Sequence, residues 1–120
     1  MNRPAEKELP TKLYIGGEWR DASDGGTFDV TNPATEEVIA TVAGATIDDA
    51  MAALDAAEAA FAGWAARKPR ERGEILRKAF EMIVADSERF ARLITMENGK
   101  ALPDSRGEIA YAAEFFRWFS

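Results

Sequence analysis

Residues 36–64 read EEVIATVAGATIDDAMAALDAAEAAFAGW, and the spacing of the apolar side chains changes within this stretch. Glu37–Val42 alternates in polarity, which predicts a β-strand. From Thr46 onward the apolar residues recur three and four positions apart, and alanine, the strongest helix former, dominates. This pattern predicts an α-helix over about 47–63 that ends at a glycine. Thr46 and Asp49 have the spacing of a capping box, which favours a helix start at this point.

Short β-prone segments precede this stretch. Leu13–Ile15 is followed by Gly16-Gly17 and then Glu18-Trp19. This order predicts a hairpin, because both central positions of a two-residue turn need a positive φ. Thr27–Thr31 reads as a further short strand that Asn32-Pro33 ends. We therefore expect two or three short strands in one ribbon.

Three more helices are predicted after residue 64. Pro69 favours the start of the second, Asp86 or Ser87 can cap the third, Gly99 suits its end, and Pro103 favours the start of the fourth. The predicted inner face of the fourth helix comprises Ile109, Ala112, Ala113, Phe116 and Phe119. Aromatic residues at such positions are expected in the core: Trp19, Phe61, Trp64, Phe80, Phe90, Phe115, Phe116 and Phe119. Because a small ribbon cannot easily cover four amphipathic helices, the chain is expected to be part of a larger protein.

Composition excludes several classes of function. The 120 residues allow one domain at most, and the net charge of −6 argues against a broad nucleic-acid-binding face. The sequence has neither Cys nor His, which excludes disulfides, thiolate or imidazole metal sites and Cys-, His- or Ser-His-based nucleophiles within this chain. No apolar run is long enough to span a membrane, and the first residues lack the apolar region of a signal peptide, so we expect a cytoplasmic protein without a membrane partner. Residues 1–11 are expected to be a flexible arm.

Common binding motifs are weak or missing. Gly16-Gly17 belongs to a predicted hairpin and Gly25-Gly26 precedes no helix, so neither pair suits a phosphate-binding loop. The paired carboxylates are expected on solvated surfaces or at helix N-termini. The basic segment 66–78, ARKPRERGEILRK, is interpreted as a polar helix face, with anion binding at its N-terminus as the alternative.

Four segments in register carry a family resemblance. YIGGEW, TNPATEEVIATV, a capped alanine-rich helix ending in AAFAGW, and ITMENGKAL together with RGEIAYAAEFFRWF occur in this order. The chain after residue 11 resembles the start of the aldehyde dehydrogenase superfamily, and its closing segment looks most like succinate-semialdehyde dehydrogenases. Two departures stand out: Glu36 replaces a usual glycine, so the turn needs a left-handed residue or another geometry, and Pro103 is shifted by two residues.

The resemblance implies a fold and an activity for a longer parent enzyme. That enzyme would have the α/β aldehyde dehydrogenase fold, and residues 12–120 would form an incomplete N-terminal portion of its NAD(P)-binding domain, a short β-hairpin or ribbon followed by about four helices. It would oxidise an aldehyde, succinate semialdehyde above all, with NAD or NADP, as a homodimer or homotetramer. The family's catalytic Cys, Glu and Asn would lie outside this chain, which is expected to be inactive and to bind no cofactor alone.

Two secondary sites follow from the resemblance. The carbonyl of Thr31, or of Val30, and the carboxylate of Glu97 occupy positions where family members bind a structural monovalent cation; the alternative is that Glu97 is an ordinary helix-end carboxylate. Ser105, Ile109 and Phe116 match the side of the substrate tunnel, with plain core packing as the alternative for these three.

A different class of function remains open at this point. The chain could instead be a stand-alone, non-catalytic helical interaction domain or a truncated pseudoenzyme. The coding sequence after Ser120 would separate the two hypotheses.

Overall fold

The computed structural model describes residues 9–120. Four strands precede four helices: β1 Leu13–Ile15, β2 Glu18–Arg20, β3 Thr27–Thr31, β4 Val38–Ala43, α1 Ile47–Ala65, α2 Pro69–Ala85, α3 Ser87–Asn98 and α4 Leu102–Trp118. Most of the predicted N-terminal arm lies outside the described residues. Within residues 9–11, the carbonyl of Thr11 accepts a hydrogen bond from the amide of Ala43 at 2.8 Å, which ties the end of that segment to β4.

The chain forms two compact units. The first takes in the strands and α1, up to Thr31 and again over Glu36–Ala65. The second comprises the short turn Asn32–Thr35 together with Ala66–Ser120, and so contains α2, α3 and α4. The turn Asn32–Thr35, which lies in the connection from β3 to β4, therefore belongs to the helical unit.

The predicted Gly-Gly hairpin is confirmed. β1 and β2 pair antiparallel, with Tyr14 opposite Trp19. Gly16 and Gly17 connect them with φ values of 63° and 89°, which glycine adopts without steric cost. The rings of Tyr14 and Trp19 lie 4.9 Å apart between centroids, so the cross-strand pair adds an aromatic contact to the hairpin.

The strands form two separate ribbons, and the expectation of a single one was wrong. β3 pairs with β4 and not with β2. The amide of Gly25 bonds to the carbonyl of Ala22 at 2.8 Å, and this turn, with Gly25 at φ 72°, redirects the chain between the two hairpins. The register of β3 and β4 shifts between Val30 and Thr31, and Glu36 adopts φ 60° in their connection. The sequence had left two options for Glu36, and the left-handed one is observed.

Helix α1 begins where the capping pattern predicts, but it runs past Gly63 to Ala65. No atom lies within 4 Å of a Cβ built on Gly63. A glycine is tolerated inside a helix at a cost of about 0.5–1 kcal/mol, and here that cost does not end the helix. The helix ends instead shortly before Lys68, whose extended backbone is the conformation favoured immediately before a proline.

The ends of the other helices follow the predicted residues, with one difference in mechanism. Pro69 stands in the first turn of α2, and α3 ends at Gly99 with φ 75° and an amide bonded to the carbonyl of Thr95. Asp86 precedes α3 but makes no side-chain cap there. Its carboxylate accepts from Arg89 Nε at 2.7 Å instead. The ion pair has replaced the expected cap.

Small residues make up the buried apolar core of the described residues. Its buried members are Ala22, Ala91 and Ala113. The expectation that the aromatics form a core was wrong for most of them: Trp19, Phe61, Trp64, Phe115, Phe116 and Phe119 are exposed, while Phe80 and Phe90 are half-buried. Ala112 and Phe119 also lie outside the inner face predicted for α4. Within residues 9–120 no helix is both long and apolar enough to cross a bilayer.

Candidate functional site

The carboxylate of Asp49 lies at the centre of a hydrogen-bond network in the first unit. Only 1% of Asp49 is exposed. Its Oδ2 accepts from the amides of Thr46 and Ser23, each at 3.0 Å. The hydroxyls of the same two residues also donate to Oδ2, and Arg20 Nη2 donates to Oδ1 at 3.0 Å. This network ties the start of α1 to the loop after β2.

These donors set the ionisation of Asp49. The backbone N–H of Thr46, followed by that of Ser23, holds the pKa of the carboxyl far below its usual range, and the two hydroxyls act in the same direction. Burial opposes them, since it disfavours the charged form. The sequence predicted the Thr46–Asp49 pair, but it missed Arg20, the last residue of β2, and Ser23 in the loop after that strand. Because both carboxylate oxygens accept from groups of the fold, we interpret Asp49 as a structural residue.

The two residues predicted to bind a cation lie in different compact units. Thr31 is the last residue of β3, immediately after the register shift, and Glu97 is an exposed residue in the last turn of α3. Val30, the alternative carbonyl donor, is half-buried. Residues 9–120 contain no cluster of three or more acidic, Cys or His side chains that could hold a metal. The cation role of Thr31 and Glu97 stays a prediction.

The helix end beside Glu97 has a well-defined neighbour. A Cβ built on Gly99 would lie 2.9 Å from Pro33 Cγ, which is closer than real side chains approach. The turn that carries Pro33 is held by its own bonds, since Asn32 Oδ1 accepts from the amide of Ala34 at 2.9 Å. Gly99 is therefore required both by its positive φ and by the proline packed against it.

The three predicted tunnel residues share one side of α4 but differ in surroundings. Ser105 is fully buried, and its Oγ lies 2.9 Å from Thr95 Oγ1 of α3. Ile109 is half-buried and Phe116 is partly exposed. The Thr95 partner was not predicted, because α3 and α4 are brought together only by the fold. The Ser105 hydroxyl belongs to a helix–helix contact, and a tunnel role for these residues stays a prediction.

Surface carboxylates behave as the sequence suggested. Arginine partners lower the pKa of Glu74, Glu88 and Glu114, with the side-chain hydrogen bond as the largest cause in each case. The Glu88 carboxylate accepts both Arg106 Nε at 2.8 Å and Nη2 at 2.9 Å, which links α3 to α4. A lowered pKa keeps a carboxyl charged at neutral pH, so these groups suit ion pairs rather than general-acid chemistry.

Residues 19–120 match the aldehyde dehydrogenase family. The chain belongs to that family. The chain is 47% identical over 109 residues to the glutarate-semialdehyde dehydrogenase of Pseudomonas putida, covering 91% of this chain and 23% of the relative. It is 43% identical to the NADP(+) succinate-semialdehyde dehydrogenase GabD of Escherichia coli K12, covering 91% of this chain and 23% of that protein.

Solved structures support the same assignment. The crystal structure of succinate-semialdehyde dehydrogenase from Burkholderia pseudomallei superposes with a TM-score of 0.90 at 42% identity, over 96% of this chain and 24% of that one. The aldehyde dehydrogenase chain described here thus spans about a quarter of the length of the relatives it matches. The resemblance expected from the four sequence segments is confirmed, and so is the predicted order of short strands followed by four helices.

Proposed function

We propose that this chain is the N-terminal segment of an NAD(P)-dependent aldehyde dehydrogenase whose substrate is a short aldehyde with a carboxylate at its other end. One observation carries the proposal: almost the whole chain follows the backbone of a succinate-semialdehyde dehydrogenase, with a TM-score of 0.90 and 42% identity. The names of the two sequence relatives, glutarate- and succinate-semialdehyde dehydrogenase, support the substrate class, since both semialdehydes end in a carboxylate.

The segment contributes scaffold to such an enzyme rather than reacting groups. Its sequence has no Cys for a thiolate nucleophile and no His. Gly16 and Gly17 form a hairpin turn, and Gly25 and Gly26 lie in a loop that leads into a strand, so neither pair has the strand–loop–helix setting of a phosphate loop. We assign no catalytic residue and no dinucleotide contact to residues 9–120. NAD(P) would accept the hydride in the complete enzyme, bound by residues outside this segment.

Several finer expectations stay predictions under this proposal. Succinate semialdehyde is the preferred substrate, the segment is part of the NAD(P)-binding domain, and the enzyme is a cytoplasmic homodimer or homotetramer. The choice between NAD and NADP depends on residues beyond those described.

A direct assay tests the proposal on the native gene product that carries these 120 residues. We expect it to reduce NAD or NADP with succinate or glutarate semialdehyde. Butyraldehyde, which has the same four carbons as succinate semialdehyde but no carboxylate, is the matched control substrate. We expect kcat/KM for it to be lower by about 100-fold or more, because a site built for a charged group is left unpaired. Absence of turnover with every aldehyde and both cofactors, or equal rates with butyraldehyde, would contradict the proposal.

A further inference from the structure

The chain contains one Asn-Gly pair, Asn98-Gly99. In such a pair the backbone nitrogen of the glycine can attack the side-chain carbonyl carbon of the asparagine, because glycine has no Cβ to hinder the approach. Asn32, by contrast, is followed by Pro33, whose nitrogen carries no hydrogen and cannot react in this way. Asn98 is therefore the asparagine whose neighbour in the sequence most favours loss of the side-chain amide.

The fold requires a glycine after Asn98. Gly99 ends α3 with φ 75°, a conformation that residues with a Cβ rarely adopt. A Cβ at this position would also lie 2.9 Å from Pro33 Cγ. The residue that makes Asn98 reactive therefore cannot be exchanged for a bulkier, protective one without damage to the end of the helix.

The end of α3 also restrains the reaction. Asn98 is the last residue of the helix, and the amide of Gly99 donates to the carbonyl of Thr95 at 2.9 Å. A nitrogen in this hydrogen bond keeps its proton and its place at the helix end. Attack on Asn98 Cγ needs the same nitrogen deprotonated and turned toward the side chain. The bond between Gly99 and Thr95 must therefore open before the reaction can occur.

We propose that Asn98 is a site of spontaneous deamidation whose rate is set by opening of the C-terminal end of α3. After opening, the Gly99 nitrogen loses its proton and forms a bond to Asn98 Cγ. The Cγ–Nδ2 bond breaks, and the side-chain nitrogen takes up the proton and leaves as ammonia. Water then opens the resulting cyclic imide at one of its carbonyl carbons, which gives aspartate or isoaspartate. The reaction needs only water and is independent of the proposed aldehyde chemistry.

Either product alters the helix end. Both place a carboxylate beside Glu97 at the C-terminus of α3, where the helix dipole disfavours negative charge. Isoaspartate also adds a methylene group to the main chain, which shifts Gly99 relative to Thr95 and Pro33. The converted protein should therefore open at this helix end more often than the original.

Ageing of the native gene product that carries these 120 residues tests the proposal. The protein is kept at mildly alkaline pH, either folded or unfolded in guanidinium chloride, and is sampled over days. Trypsin releases Asn98 in the peptide Leu93–Lys100, in which mass spectrometry distinguishes the amide from aspartate and isoaspartate. We expect conversion to be slower in the folded protein by about tenfold or more, which corresponds to an opening free energy of about 1.4 kcal/mol or more. Equal rates in the two states, or an intact Asn98 in the unfolded protein, would overturn the proposal.

Asn32 is the internal control in the same digest. It lies in a different tryptic peptide, and the proline after it should keep its side chain an amide in both states. Conversion of Asn32 as fast as that of Asn98 would show that the glycine amide is not the reacting group, and the proposal would fail.

Pro33→Ala tests the control by the helix end. The substitution removes the ring next to Gly99 and leaves the sequence around Asn98 unchanged. We expect conversion of Asn98 to become about threefold faster or more in the folded variant and to stay the same in the unfolded one. A folded variant that converts no faster than the native sequence would contradict this control. If the variant does not fold, the comparison of the native sequence in its two states still decides.

Discussion

Asp49 Oδ2 accepts the amide of Thr46 at 3.0 Å, and Thr46 Oγ1 accepts the amide of Asp49 at 3.2 Å. This reciprocal pair satisfies two N–H groups that the first turn of α1 would otherwise leave without partners. The same carboxylate also accepts from Arg20, the last residue of β2, and from Ser23 in the loop that follows. The carboxylate that caps α1 thus also links this helix to β2 and to the loop after β2.

Removing either member of the pair should destabilise the first unit, but to different extents. Thr46→Ala removes the hydroxyl that caps α1 and bonds to Ser23 Oγ, but it keeps the Thr46 amide that donates to Asp49, so it should lower the free energy of unfolding by about 1 kcal/mol. Asp49→Asn should cost more, because an amide group cannot accept from Thr46, Ser23 and Arg20 together and turns a donor toward one of them. Urea titration followed by circular dichroism measures both. Equal losses in the two variants would contradict the wider role of Asp49.

The Asp49 carboxylate should also make stability depend on pH. Its pKa is lowered in the folded state by the amides of Thr46 and Ser23, so its contribution is present above the pKa of the unfolded chain, about 3.9, and is lost as the pH falls toward the folded value. We expect the stability difference between the native sequence and Asp49→Asn to be constant from about pH 7 to 5 and to shrink from about pH 4 to 2. Urea midpoints across this range report it. A difference that grows with acid would mean that the pKa is raised rather than lowered.

Gly99 should tolerate no side chain. Gly99→Ala places a Cβ at positive φ, which costs about 1–2 kcal/mol, and adds a clash with Pro33 Cγ. Gly107→Ala is the control, because Gly107 lies inside α4 with open space around it, and there the substitution should stabilise by about 0.5–1 kcal/mol. Pro33→Ala in the Gly99→Ala background should recover part of the loss. Thermal melts that rank the two alanine variants in the opposite order would exclude this account.

Replacing Glu36 with glycine should stabilise the protein. It adopts φ 60°, a conformation that costs an ordinary L-residue about 1–2 kcal/mol. Glu36→Gly relieves that cost but loses more entropy on folding, so a net gain of about 0.5 kcal/mol in the free energy of unfolding is expected. Glu36→Asn, which tolerates the left-handed region, should be neutral or slightly stabilising, whereas Glu36→Val should destabilise. Chemical denaturation of the three variants measures the order, and a stable valine variant would show that the turn rearranges.

The contributions of the Thr95 and Ser105 hydroxyls to the free energy of unfolding should be coupled. They lie 2.9 Å apart between α3 and α4, and Ser105 is fully buried. Ser105→Ala should lower the free energy of unfolding by about 1–3 kcal/mol, because the partner loses its bond inside the protein. Thr95→Val should do the same, and the double variant should cost less than the sum of the two. A double-mutant cycle measures this coupling, with Thr95→Ser as the variant that keeps the bond. Additive losses would count against a direct interaction.

Much of the local structure could be predicted from individual residues. The Gly16-Gly17 turn, the capping pair at Thr46, the proline that opens α2 and the glycine that ends α3 all act through φ preferences or through neighbours a few positions away. The end of α1 was misplaced, since a single Gly63 weakens a helix without ending it. The second ribbon was missed because strand pairing depends on residues far apart in the chain, and alternation of side chains does not identify the partner strand.

In the candidate sites, too, local features could be predicted from the sequence, whereas contacts between distant residues could not. The family and its proposed chemistry are recognisable from four segments whose order survives in the sequence. Only the tertiary structure places Arg20 and Ser23 on Asp49, Thr95 on Ser105, and Pro33 against Gly99, because each contact joins residues that are separated by ten or more positions or lie in different elements. The sequence by itself determined helix limits, turns and family, since these depend on local backbone preferences and motif order. The tertiary structure decided which polar groups are satisfied and that the aromatics of α4 face outward, because burial depends on what other elements cover each side chain.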